Sequence, residues 1–216
     1  MTLRRLAMDL ARRHSKNPFL TPLKRLAAPF VLSGGPTDQW ARVVMNRETV
    51  KLLDGAEPKG RTTLEISGES WNRPGMFKEY RSVGFPEYDL CDRPLDATFD
   101  LIIAEQVFEH LLFPYRAGRN VYRMLNPGGA FLATTPFLLR IHGHPADCTR
   151  WTETGMKHFL AECGFPLETI QTGSWGNRRC VVANFKRWQI YQPWRHSLRN
   201  EPDYPVVVWA LAFKER

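Results

Sequence analysis

Nowhere does the chain carry an apolar run approaching the ~20 residues that a membrane-spanning helix requires. Cysteine is scarce: Cys91, Cys148, Cys163 and Cys180 are the only four in 216 residues. They form no C-x-x-C pair, which argues against a zinc knuckle. So few cysteines read as reduced thiols in a cytoplasmic protein, not as a disulfide framework. Residues Met1 to Ala28 lack the continuous apolar core of a secretory signal. Internal repeats and low-complexity tracts are missing too. No G-x-G-x-x-G opens a helix after any strand, which disfavours a nicotinamide-dependent oxidoreductase.

What is present is ordinary for a globular chain: 43% hydrophobic and 24% charged residues. The formal charge of +8 favours anionic partners. It is uneven, with seven Lys or Arg against one Asp between Met1 and Ala28. Leu3, Leu6, Ala7, Leu10 and Ala11 fall on one stripe of a helix over residues 3–14. That helix reads as a solvated face or as a weak membrane-surface contact. Residues 1–55 are expected to form a helical extension packing on a domain of residues 56–216.

The domain alternates strand and helix. TTLEIS (Thr62–Ser67), Arg81–Phe85, FDLIIA (Phe99–Ala104) and AFLATT (Ala130–Thr135) are strand candidates. So are Leu167–Thr172 and VVVWALAF (Val206–Phe213). Between the third and fourth, Ala117, Val121, Met124 and Leu125 recur at helical spacing. Asn126-Pro127-Gly128-Gly129 is a tight turn. Thr152 is placed to cap a helix that ends at Gly164. Alternation of this kind predicts a mostly parallel sheet covered on both faces. Ligands then bind beyond the carboxyl ends of the strands.

The order TTLEIS, FDLIIAEQVFEH, RMLNPGGAFLATTP and a helix ending in AECGF resembles the class I S-adenosylmethionine-dependent methyltransferases. More narrowly it is similar to the small bacterial methyltransferase type 11 branch. The likeness spans Thr62 to Gly173, and PFLLRIHGHPADCTRWT (Pro136–Thr152) is its most specific stretch. It implies a Rossmann-like α/β fold with a seven-stranded sheet and S-adenosylmethionine as cofactor. The implied cofactor residues are Glu65, Ser67, Gly68, Phe85, Asp89, Leu90, Glu105 and Gln106. The implied reaction is methyl transfer to oxygen or nitrogen of a small-molecule or glycan-like acceptor.

The sequence departs from the family at the cofactor loop. Of its alternating glycines only Gly68 remains, one place out of register. Residues 68–79 must cross between two parallel strands, at the minimum of about a dozen residues, and Pro74 and Gly75 interrupt any helix there. The acidic residue expected at the end of the second strand is replaced by Gly84. The alternative reading is therefore a non-catalytic binding module that keeps the fold.

His142, His144, Asp147 and Arg150 lie within nine residues on a loop at the expected active-site face. Three readings stand side by side: a substrate lid with His142 as general base, a metal site, or an Asp147–Arg150 pair that only holds the loop. The spacing matches no zinc pattern, so no metal is expected. His110 joins His142, Asp147 and Arg150 as a catalytic candidate. Trp175, Trp188, Trp194 and Trp209, interleaved with basic residues, leave nucleic-acid stacking as a secondary expectation. Residues 174–205 show no clear periodicity.

Overall fold

A computed structural model describes residues 39–143 and 146–216. The expected helix over residues 3–14, and its membrane-contact reading, lie outside the described residues. So does His144.

The six strands are β1 (Thr62–Ile66), β2 (Glu79–Val83), β3 (Phe99–Glu105), β4 (Leu125–Pro136), β5 (Ile170–Trp175) and β6 (Val207–Phe213). They form one sheet in the order β2-β1-β3-β4-β6-β5. The first four are mutually parallel, and β6 runs antiparallel to both its neighbours. No seventh strand forms among the described residues. The segment between β2 and β3, where Pro86 and Pro94 each lack an N–H, runs as turns. Residues 67–78 likewise cross without a helix.

Among the described residues the α-helices are α1 (Val43–Gly55), α2 (Pro114–Met124), α3 (Glu153–Glu162) and α4 (Arg178–Asn184). Pro114 opens α2, where its missing N–H costs nothing. The Thr152 hydroxyl accepts from the Gly155 N–H and caps α3 as expected. Asn177 caps α4 in the same way through the Cys180 N–H. Helix α1 belongs to the compact unit Gln39–Arg216, so that unit starts well before residue 56.

Strand β3 is buried on both faces, which explains its unbroken apolar run. One face packs Leu64, Ile102, Phe131 and Val208 against Ala117 and Val121 of α2 and Phe159 of α3. The other packs Leu101, Ile103, Leu132 and Leu211 against Leu53 of α1 and Trp71. A third cluster joins Trp40 and Met45 to Cys180, Trp175 and Trp209. Two of the tryptophans expected as a stacking platform, Trp175 and Trp209, are thus core residues.

Candidate active site

The carboxyl ends of β1 and β3 turn abruptly. Ser67 and Gln106, the residues that follow those strands, both adopt the left-handed conformation, with φ of 59° and 57°. The Gln106 N–H donates to the Thr134 carbonyl, and the Ser67 N–H to that of Val83. Each turn throws the chain away from the sheet and leaves a crevice between.

That crevice is a cavity of about 590 Å³. Ile66, Ser67, Phe85, Tyr88, Asp89 and Leu90 wall one side, and Gln106, Val107, His110 and Leu111 the other. A shallower recess of about 420 Å³ shares Ser67 and Phe85 with it and adds Gly68, Glu69, Ser82 and Gly84. The Phe85 ring is 72% exposed and borders both. Asp89 is the single carboxylate that the described residues bring to the cavity wall. One of its oxygens accepts from the Cys91 N–H at 2.8 Å.

Of the eight residues expected at the cofactor, Ser67, Phe85, Asp89, Leu90 and Gln106 line the cavity, and Gly68 the recess. Glu65 and Glu105 line neither. Side chains alternate along a strand, so Glu65 and Glu105 emerge on the face opposite their neighbours Ile66 and Gln106. The Glu65 carboxylate is 1% exposed. It accepts from the N–H groups of Ser70 and Trp71, each at 3.0 Å, and from the Tyr80 hydroxyl at 2.6 Å. It anchors the helix-free crossover. Glu105 accepts from the Arg42 guanidinium and from the Trp71 indole N–H, the latter at 2.9 Å. Trp71 fills the far face of the sheet and leaves the cavity open.

Beyond the cavity lies a polar cluster. A single 3-10 turn, Phe108–His110, follows β3 and carries Glu109 and His110. Glu109 is wholly buried, and burial pushes its carboxyl up to about 8. His110 Nδ1 contacts the Ala146 carbonyl, which can only accept, so Nδ1 carries the proton. His142 meets the His110 ring edge-on at 5.1 Å and the Trp188 ring at 5.5 Å. Burial lowers the His142 pKa below its ordinary value.

The Asp147 and Arg150 side chains pair in two-pronged fashion. Arg150 also donates to the Phe137 carbonyl at 2.9 Å, and Asp147 accepts from the His142 N–H at 2.9 Å. The Arg150 bonds pull the Asp147 pKa below the usual carboxylate range. The pair holds the loop that presents His142. His110 and His142 therefore meet, while Asp147 and Arg150 stand behind them. Glu109 is the addition that sequence reasoning passed over; its adjacency to His110 was the available signal.

A family model for the methyltransferase domain matches residues 62–133. That segment runs from the start of β1 through most of β4. The N-methyltransferase NodS from Bradyrhizobium japonicum is similar in fold, with a TM-score of 0.51 and 13% identity. That likeness covers 83% of this chain and 99% of that one. Phosphoethanolamine N-methyltransferase 2 from Haemonchus contortus, solved with S-adenosylmethionine, is also similar, at TM-score 0.51 and 13% identity. Here 79% of this chain and 53% of that one are covered. No curated protein sequence matches the chain. Residues 62–133 thus match a methyltransferase domain, and the chain shares the fold of these methyltransferases. Among the described residues the sheet has six strands, and the crossover after β1 carries no helix.

Proposed function

We propose that this chain transfers a methyl group to an oxygen or nitrogen of a small-molecule or glycan-like acceptor. The observation that carries the proposal is the cavity beyond β1 and β3, whose volume of about 590 Å³ suits a small-molecule site. Its walls are apolar, with an unpartnered aromatic face at Phe85 and one carboxylate at Asp89. That donor set fits a nucleoside. Phe85, Leu90 and Val107 would flank the adenine, and Asp89 would accept from its amine. Ser67 and Glu69, at the rim of the adjoining recess, are available to the ribose hydroxyls that Gly84 cannot hold.

When bound, S-adenosylmethionine supplies a methyl group already activated on a sulfonium. The chain's task is then to align the acceptor and draw off its proton. The acceptor enters at the end of the cavity marked by His110, and its proton leaves toward the cluster of His110, His142 and Glu109. Asp147 and Arg150 fix the loop that positions His142.

The test uses S-adenosylhomocysteine and the purified chain. At a hundredfold excess over Kd, binding stabilises by about 2.7 kcal/mol. Spread over the unfolding entropy of residues 39–216, that is a rise in Tm of about 7 °C. Labelled methyl transfer is then scored across a panel of hydroxylated and aminated acceptors. His142→Ala is expected to cut turnover about 100-fold with the S-adenosylhomocysteine shift retained. No shift at millimolar ligand would favour a non-catalytic module that has kept the fold.

A further inference from the structure

The Glu109, His110 and His142 cluster holds buried polar atoms without partners. Neither Glu109 oxygen has a hydrogen-bond partner among the described residues, and both are fully buried. His142 Nε2 is buried without a partner as well. With Nδ1 turned to Ala146, His110 Nε2 faces Glu109, 3.6 Å from Oε1. One ligand atom from each of the three residues lies within 4.8 Å of the others.

The nearby cations do not resolve this. Arg42 is committed to Glu105 and Arg150 to Asp147. A buried carboxyl and a buried imidazole nitrogen left without partners are expensive unless something binds among them.

We infer that Glu109, His110 and His142 form a binding site for a divalent first-row transition-metal ion of the zinc type. Two imidazole nitrogens and one carboxylate are a donor set that such ions favour. Two atoms bound at ~2.1 Å to one tetrahedral ion lie ~3.4 Å apart, close to the spacing His110 and Glu109 already show. The Ala146 carbonyl fixes the tautomer of His110, the outer-sphere support that metal-bound imidazoles usually have. Three protein ligands leave coordination positions open, and His110 also lines the cavity. An ion here would thus face the acceptor's end of the site. Asp147, engaged by Arg150 and by the His142 backbone, stands outside the ligand set. The site rests on this cluster alone and does not require the methyl-transfer reading.

The experiment measures metal, not methylation. Untagged full-length chain is stripped with EDTA, then titrated with ZnCl2 by calorimetry, with bound metal counted by mass spectrometry. Cobalt(II) loading provides a ligand-field spectrum as a second readout. One zinc per chain is expected, with saturable sub-micromolar affinity. Glu109→Gln and His142→Ala should each abolish stoichiometric binding, while His158→Ala, altering an exposed histidine on α3, should not. Circular dichroism establishes which variants remain folded, and either folded variant suffices to decide. Sub-stoichiometric zinc on the wild-type chain would overturn the inference. So would full zinc retention by a folded Glu109→Gln or His142→Ala protein.

Discussion

Replacing Glu65 by Gln tests whether this carboxylate is the anchor of the crossover. Three donors converge on it from Ser70, Trp71 and Tyr80, and the group is buried. A carboxamide keeps one acceptor oxygen and turns the other position into a donor. That donor must face either the Ser70 N–H or the pair formed by Trp71 and Tyr80. In the better orientation the Ser70 bond is lost and two charge-assisted bonds become neutral ones. Bonds to charged groups contribute ~1.5–3 kcal/mol and neutral ones ~0.5–1.5. Relief from burying a charge offsets part of the difference, so the net loss should be about 3 kcal/mol. Over residues 39–216 that lowers Tm by about 8 °C. Calorimetry reads the shift, and limited proteolysis within residues 68–78 reports whether the crossover loosens first. The Tyr80 hydroxyl offers a third readout. Burial and the Glu65 carboxylate together hold its pKa well above the ordinary value, so ultraviolet titration of the variant should show a tyrosine ionising earlier. A Tm within about 2 °C of the parent would correspond to less than ~1 kcal/mol and would refute the anchoring argument.

Two further perturbations address the frame around the site. Asp100 accepts from the Thr62 N–H and hydroxyl and from the Asn126 amide, tying β1, β3 and the start of β4 together. Burial works to raise its pKa, but these bonds outweigh it and set the pKa below the ordinary value. A depressed folded-state pKa stabilises above the unfolded value of ~3.9, and that contribution fades as pH falls through the folded one. Asp100→Asn should therefore be less stable than the parent at pH 7, with the gap closing below pH ~4 in acid denaturation curves. A gap that persists at low pH would place the effect elsewhere. Gly118 lets α2 approach α3: a Cβ there would fall 2.4 Å from the Cys163 sulfur and 3.2 Å from the Phe159 ring. Gly118→Ala should cost ~1–3 kcal/mol despite the better helix propensity of alanine, measured by urea denaturation. Unchanged stability would mean that the helices separate freely.

Much of the frame was legible because it rests on local pattern. FDLIIA is buried on both faces, as its apolar run implies; the Asn126–Gly129 stretch, expected as a tight turn, is instead the start of β4, where Gly128 adopts φ +73° beside a register shift against β3. Thr152 caps its helix where the spacing puts it. The facing of Glu65 and Glu105 was also in the sequence. Ile66 and Gln106 must point the other way once the strands are placed, and period two then sends the carboxylates to the far side. The region 174–205 was not legible, for a physical reason. Its order comes from partners far along the chain: the Trp40 indole donates to the Ser197 carbonyl, the Trp175 indole to Leu198, and Asn177 to Ser197 and Arg199. A seven-residue helix and a strap tied by such bonds leave no periodic trace. The meeting of Glu109, His110 and His142 is likewise a product of the loop that the Asp147–Arg150 pair folds back.

The turns between β2 and β3 also decide what the molecule shows at its margin. With no strand beyond it among the described residues, β2 presents backbone groups along one side that a stray extended peptide can register on. The strand is only five residues long, and Glu79 and Arg81 stand exposed along it. A docking chain would have to strip water from both charges to gain a handful of ladder bonds. Brevity and charge thus guard this edge against fibrous stacking.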